Sequence, residues 1–331
     1  MMAASDPPIH TALRTPLARA LSYTALRKSE SVLRSVVSRT VTPLVGGEDC
    51  DLAAICAGFP MAFTGTLMGL PESDWQFLTK LTTMAIAPQE PEFRAGSAQA
   101  NLRAAHQQLF EYFADQLSHP ADRDDLIGFM RAMTIDGRKM RRDELIYNCY
   151  SLLLGANVTT PHAIAATVLA FMEHEEEYQR IRTGKEVALA VEEGLRWSSP
   201  ANHFMRHAVH DTELSGVPIA AGQAVVAWLG SANRDDRVFS QPFSFDCTRR
   251  PNRHLAFGAG PHYCVGAPLA RVALRLLFGQ LVDLVEGFDA GGPVLHLRSN
   301  FVAGITHMPI VARPRKRMQA TRSARPDGWT R

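Results

Sequence analysis

The stretch Phe257-Gly258-Ala259-Gly260-Pro261-His262-Tyr263-Cys264-Val265-Gly266 sets one thiol in a glycine-rich loop, directly ahead of an apolar segment from Ala267 to Val285. Glycines at 258, 260 and 266 permit positive φ and close backbone approach, so the loop can wrap a sulfur and press against a flat group. The segment behind it is predicted to be a helix, whose first N–H groups and macrodipole favour an anion. That environment suits a thiolate, the form of cysteine that ligates metal. No C-x-x-C pair exists in the chain, which argues against a four-ligand zinc site. A single thiolate points to an axial ligand of haem iron.

Three other groupings could do chemistry. Leu154-Gly155-Ala156-Asn157-Val158-Thr159-Thr160-Pro161 lies inside a long apolar stretch predicted to be one helix from Arg141 to Met172. Gly155 and Ala156 thin that helix where a cofactor or oxygen could approach. Pro161 has no N–H, so the carbonyl of Asn157 loses its helical partner and the opened turn can host water. His10 and Arg14 are four residues apart behind Pro7-Pro8 and share a helix face. Glu193 and Arg196 are three apart and can pair, but a buried pair needs further hydrogen bonds to offset its desolvation.

The elements that must position these groups are mostly helical. Apolar residues recur at helical spacing from Leu26 to Val45, ended by Gly46-Gly47. Asp51 is the expected N-cap of a helix running to Leu70, and Pro71 to Asp74 begins the next. A loop at Pro88–Gly96 leads to a long amphipathic helix, Ser97–Leu117. Asp122–Met133 is a short helix, Thr134–Arg138 a turn, and Gly184–Trp197 another helix. His203 to Val226 alternates apolar and polar residues around Gly216 and Gly222, as short strands do, and short strands with Gly291-Gly292 turns follow Val285.

The cysteine loop resembles the ligand loop of the cytochrome P450 family, F-x-G-x-x-x-C-x-G, with His262 where a basic residue usually stands. Asp6-Pro7-Pro8-Ile9-His10-Thr11-Ala12-Leu13-Arg14 is similar to the opening of that family's C helix. The resemblance implies a mainly α fold with small β-sheets, spanning about Asp6 to Pro314 and lacking the family's N-terminal section. It implies haem b, with Cys264 as the iron ligand. Phe257, Gly258, His262, Gly266 and Ala156 then surround the haem, and His10, Arg14, Arg206 and His254 face its two carboxylates. It places Thr159 on the threonine of the family's oxygen-binding groove, beside Thr160 and Asn157, with Val158 where an acid usually stands. It completes a structural triad of Glu193, Arg196 and Arg249, and makes the Trp75–Leu117 helix pair a lid. Phe301–Ile305 becomes a loop near the pocket.

The composition is that of an ordinary soluble globular protein. The 331 residues are 46% hydrophobic and 21% charged, and the formal net charge of +2 gives no global drive toward nucleic acid. Five scattered cysteines suit a reducing cytoplasm better than a disulfide framework. No uninterrupted apolar run of eighteen residues and no signal peptide stand out, so no membrane span is expected. Residues 1–313 are expected to form one oxidase domain and 314–331 a disordered basic tail. With no flavin or nicotinamide domain in the sequence, electrons from NAD(P)H are expected through a ferredoxin and its reductase or a flavoprotein. Arg271 and Arg275 are candidate docking charges for that partner. The expected protein is a monomer acting on a small-molecule or carrier-bound substrate. The rival reading is a non-catalytic haem-binding remnant or a carrier-docking scaffold.

Overall fold

The computed structural model describes residues 1–46, 49–93, 96–118, 123–135 and 137–315. The first helices are α1 (Ile9–Ala20), α2 (Tyr23–Leu26) and α3 (Glu30–Val41). After strand β1 (Asp49–Asp51) come α4 (Leu52–Ala57), α5 (Phe59–Leu67), α6 (Trp75–Ile86), α7 (Ala98–Gln116) and α8 (Leu126–Ala132). A small hairpin, β2 (Thr134–Ile135) and β3 (Arg138–Lys139), replaces the expected turn. Then follow α9 (Arg142–Asn157), α10 (Thr160–Glu173), α11 (Glu175–Gly184) and α12 (Val187–Ser198). Four strands, β4 (His203–His207), β5 (Thr212–Leu214), β6 (Val217–Ile219) and β7 (Ala224–Trp228), lead to the short α13 (Leu229–Ala232). The chain closes with α14 (Ala267–Leu284), β8 (Val285–Ala290), β9 (Leu295–His296), β10 (Ile305–His307) and β11 (Pro309–Pro314).

Caps explain several boundaries. The Asp51 carboxylate accepts hydrogen bonds from Ala53 N and Ala54 N, as its position ahead of an apolar run predicts. Ser97 caps α7 through Ala100 N, and Asp125 caps α8 through Gly128 N. The helix expected from Asp51 to Leu70 divides at Gly58 into α4 and α5. The one expected from Gly184 begins at Val187, because α11 occupies the residues before it and ends on left-handed Lys185.

Two large apolar clusters make up most of the core. One gathers α3, α4, α10, α12 and α14, with Val168, Phe171, Tyr178 and Phe278 at its heart. The other gathers α1, α6, α7, α8 and α9 around Leu13, Leu78, Leu109, Phe113 and Leu153. Each fully buried Leu or Phe contributes roughly 1.5–3 kcal/mol of burial free energy. The helical stretch Arg142–Glu173 is apolar and long enough to cross a bilayer by length and composition, although its charges lie only at its ends and polar residues such as Asn148, Asn157 and His162 interrupt its apolar runs. Here it is the core pair α9–α10, half buried within the fold.

The sheets are small and antiparallel. β11 lies between β1 and β8, pairing Ile310 with Cys50 and Ala312 with Phe288. β4 pairs with β7, and β5 with β6. β11 runs through Pro314, and Arg315 N donates to Leu284 O at 2.8 Å. The expected tail boundary at 314 therefore moves outward, because the ladder with β8 still holds those residues. The rest of that tail lies outside the described residues.

Candidate active site

Cys264 sits at the end of a loop held by its own backbone. Cys264 N donates to Phe257 O at 2.8 Å, which folds the ten-residue stretch back on itself. Gly258 and Gly260 have φ of 71° and 69°, the region where a Cβ is costly. Gly266 instead has φ of −86°, and a Cβ there would stand in ordinary contact 3.8 Å from Cys264 Sγ. The helix predicted behind the loop starts at Ala267 and ends at Leu284, where Val285 turns into β8. Burial raises the Cys264 thiol above its usual value, while the Gly266 and Ala267 N–H groups and the Arg14 and Arg271 charges pull the other way. Cys56, Cys149 and Cys247, by contrast, are sealed in the apolar interior.

α1 delivers two of the expected donors to this loop. His10 is 2% exposed, its ring centroid 4.2 Å from that of His262, and its Nε2 has no hydrogen-bond partner. Burial and the neighbouring His262 and Arg14 lower its pKa, so the neutral imidazole is favoured. Arg14 Nη2 donates to Tyr263 O, next to the cysteine. Arg206 lies on β4 with its guanidinium on Met205 O at 2.8 Å and its residue exposed. His254 departs from expectation. Its Nε2 meets Glu192 Oε2 at 3.0 Å and its Nδ1 accepts from Ala256 N at 3.2 Å, so both ring nitrogens are engaged within the chain.

The long helix expected from 141 to 172 is two helices, and the break falls on Val158-Thr159. The ladder runs up to Val158 N on Leu154 O and resumes with Ala163 N on Thr159 O. Between them Pro161 has no N–H to offer Asn157 O. Gly155 is exposed, with open space where a Cβ would stand, and Ala156 and Thr159 are half-buried. Residues 155 and 159 share a helix face, so this is the open face of the break. No hydrogen bond among the described residues engages the Thr159 hydroxyl, whereas Thr160 Oγ1 donates to Ala156 O at 3.3 Å. Asn157, expected beside Thr159, points into the buried side. Its Nδ2 donates to Leu153 O at 2.7 Å and its Oδ1 is buried without a partner. Val158 is buried with Ile86, Ala87, Leu297 and Val302, so an apolar contact occupies the place where an acid was sought.

These features fit haem. A lone cysteine stands in a glycine cradle, a buried His10 nitrogen beside it lacks a partner, and an open helix face carries an unengaged hydroxyl. Among the described residues no group of three or more His, Cys, Asp or Glu could hold a bare metal ion. A cytochrome P450 family model matches residues 63–285. The chain belongs to the cytochrome P450 family. It is a haem-thiolate monooxygenase, an oxidoreductase that uses molecular oxygen on an organic substrate. It is 35% identical to cytochrome P450 126 of Mycobacterium tuberculosis, over 93% of this chain and 76% of that protein. It is 31% identical to linalool 8-monooxygenase of Pseudomonas putida, over 94% of this chain and 77% of that one. The fold is similar to cytochrome P450 CYP268A2 of Mycobacterium marinum, solved in complex with pseudoionone. That match has a TM-score of 0.86 and 29% identity, covering 94% of this chain and 77% of the other.

In this P450 the expected triad is assembled and buried. Glu193 and Arg196 side chains are 0% exposed and meet through two bonds, Arg196 Nε to Oε2 at 2.8 Å and Nη2 to Oε1 at 2.7 Å. Arg249 Nε lies 3.2 Å from Glu193 Oε2. The two guanidiniums go on to donate to the carbonyls of Asn233, Ser240, Pro242 and Ser244. The triad thus pins the irregular segment 233–249 that leads into the cysteine loop. The helices expected to form a lid, α6 and α7, pack on each other, and Phe113 is buried while Phe77 is exposed. The expected loop Phe301–Ile305 does reach the helix break, through Val302 on Val158. Sequence reasoning missed Glu192 and His162. His162, on α10 just past the break, accepts a hydrogen bond from Ile305 N on Nδ1 at 3.3 Å.

Proposed function

We propose that Cys264 is the haem ligand and that this P450 inserts oxygen into a small, largely apolar molecule of specialised metabolism. The supporting observation is the meeting of α1 with the cysteine loop, where His10 packs on His262 and Arg14 donates to the carbonyl of Tyr263, the residue before Cys264. His10, Arg14 and Arg206 would bind the haem carboxylates by charge-assisted hydrogen bonds. Phe257, Gly258, His262 and Gly266 shape the proximal side, and Ala156 lies on the distal side. Bound there, the haem supplies oxygen activation, with thiolate donation favouring O–O cleavage.

The chain's own contribution is proton handling and exclusion of water. The Thr159 hydroxyl, on the open face of the helix break, holds and orients water that delivers protons. No carboxylate assists it at 158. Thr160 holds the break through Ala156 O, and Asn157 acts from the buried side, where its Oδ1 can take a water. Ile86, Leu297 and Val302 keep the neighbouring wall apolar, which suits a hydrocarbon-rich substrate. Electrons come from NAD(P)H through a ferredoxin and its reductase or a flavoprotein. The protein acts as a cytoplasmic monomer on a free or carrier-bound substrate. The test is the spectrum of the reduced, carbon-monoxide-bound protein followed by turnover with labelled oxygen. A thiolate-type Soret band and label in the product are expected. The band without turnover by any redox partner would reject the catalytic reading in favour of a haem-binding remnant.

A further inference from the structure

Glu192, the neighbour of the triad's Glu193, faces a different set of groups. Its carboxylate accepts from Arg271 Nε and Nη2, both at 2.8 Å, and from His254 at 3.0 Å, with Arg275 Nη2 at 3.9 Å. All four side chains are largely buried. Arg271 then reaches the cysteine loop in two ways. Its Nη1 donates to Tyr263 Oη at 2.8 Å, one residue before Cys264. Its guanidinium carbon stands 4.6 Å from the ring centroid of Phe257, whose carbonyl accepts the Cys264 N–H. Arg271 and Arg275 are therefore not free surface charges offered to a redox partner. They are turned inward on one carboxylate.

We propose that Glu192 is a positioning residue that sets the electrostatic potential at Cys264, and with it the haem reduction potential. The inference rests on the haem-thiolate reading above. One carboxylate anchors Arg271 and offsets part of the positive charge that Arg271, Arg275 and Arg14 bring to the proximal side. Buried charges are screened weakly, so their balance is felt at the sulfur. Positive potential favours the reduced iron, because reduction adds an electron. Removing the carboxylate therefore favours reduction, and removing Arg271 opposes it.

The experiment is spectroelectrochemical titration of the haem-loaded full chain and its variants, each first checked for the thiolate-type carbon-monoxide band. Glu192→Gln, nearly isosteric, is expected to keep the band and shift the reduction potential in the positive direction. Arg271→Gln is expected to shift it in the negative direction. The double variant is expected to return toward the wild-type value, and Glu192→Asp to stay near it. A purely structural role would not give opposite signs that cancel. Unchanged potentials in both single variants, or shifts of the same sign, would overturn the proposal. Absence of the thiolate band from the wild-type protein would instead overturn the haem-thiolate reading on which it stands.

Discussion

Replacing Glu193 by Gln tests how the cysteine loop is supported. The substitution keeps shape and removes one charge from a site where Glu193 and Arg196 side chains are fully buried. Glu193 accepts from Arg196 Nε and Nη2, from Asp246 N at 2.9 Å, from Asn252 Nδ2 at 3.1 Å and from Arg249 Nε. A glutamine presents one acceptor oxygen and one NH2 group, so part of this donor set meets another donor. Two guanidiniums then share the interior without a counter-charge. Breaking a buried pair in this way costs about 3–5 kcal/mol. Against a total stability of roughly 5–15 kcal/mol, that is a large fraction. The assay is urea denaturation followed by circular dichroism, with haem content measured on the same preparations. The midpoint should fall sharply, and haem content should fall with it, because segment 233–249 leads into the ligand loop. A loss below about 1 kcal/mol with normal haem content would refute the reasoning, since an exposed pair behaves that way.

Thr159→Ala should leave haem binding intact but raise hydrogen peroxide released per NAD(P)H consumed and cut product yield by about tenfold or more, in keeping with the loss of an acid–base group. Unchanged coupling would remove Thr159 from proton delivery. Asp51→Ala should destabilise the protein by about 1–2 kcal/mol in denaturant titration. The residue caps α4 and also accepts from Met308 N at 2.9 Å and meets His307 at 2.7 Å, so an effect near zero would contradict that joint role. Burial lowers His162 to about 4 from its usual 6.5, so the folded state resists protonation there. Its contribution to stability is complete above about pH 6.5 and is lost as pH falls toward 4, a drop of about 3 kcal/mol at most. His162→Gln should flatten that part of the stability–pH curve, and an unaltered slope would count against the assignment.

How far the sequence carried the account depends on what each feature is made of. The Cys264 loop was legible because its glycines and cysteine occur at fixed spacing, and the same local backbone that needs them folds the loop. Asp51 was legible as a cap for the same reason, the bond being formed within three residues. The helix break was anticipated from Pro161, yet its consequences for side chains were not. Asn157 and Thr159 are two residues apart, which on a helix puts them on different faces. One lies inside against Leu153 and the other on the open side. Val158 looked like a missing acid, and only the meeting of α6, α9 and the 297–302 loop shows it as packing. His254 was expected to face a haem carboxylate, but Glu192 comes from 62 residues away to engage it. Glu192 itself sits beside the triad glutamate and carries no spacing signal of its own. Its role appears only once α12 and α14 are docked.

The most direct measurement concerns the sulfur at position 264. Wild-type and Cys264→Ser proteins should be purified under identical conditions, loaded with haem, reduced and exposed to carbon monoxide. The account predicts the thiolate-type Soret band in the wild type and its loss in the variant, with haem content reduced or the pigment shifted in colour. Serine-variant protein with unaltered haem content and the same absorption as wild type would contradict it, because some other group would then be holding the iron.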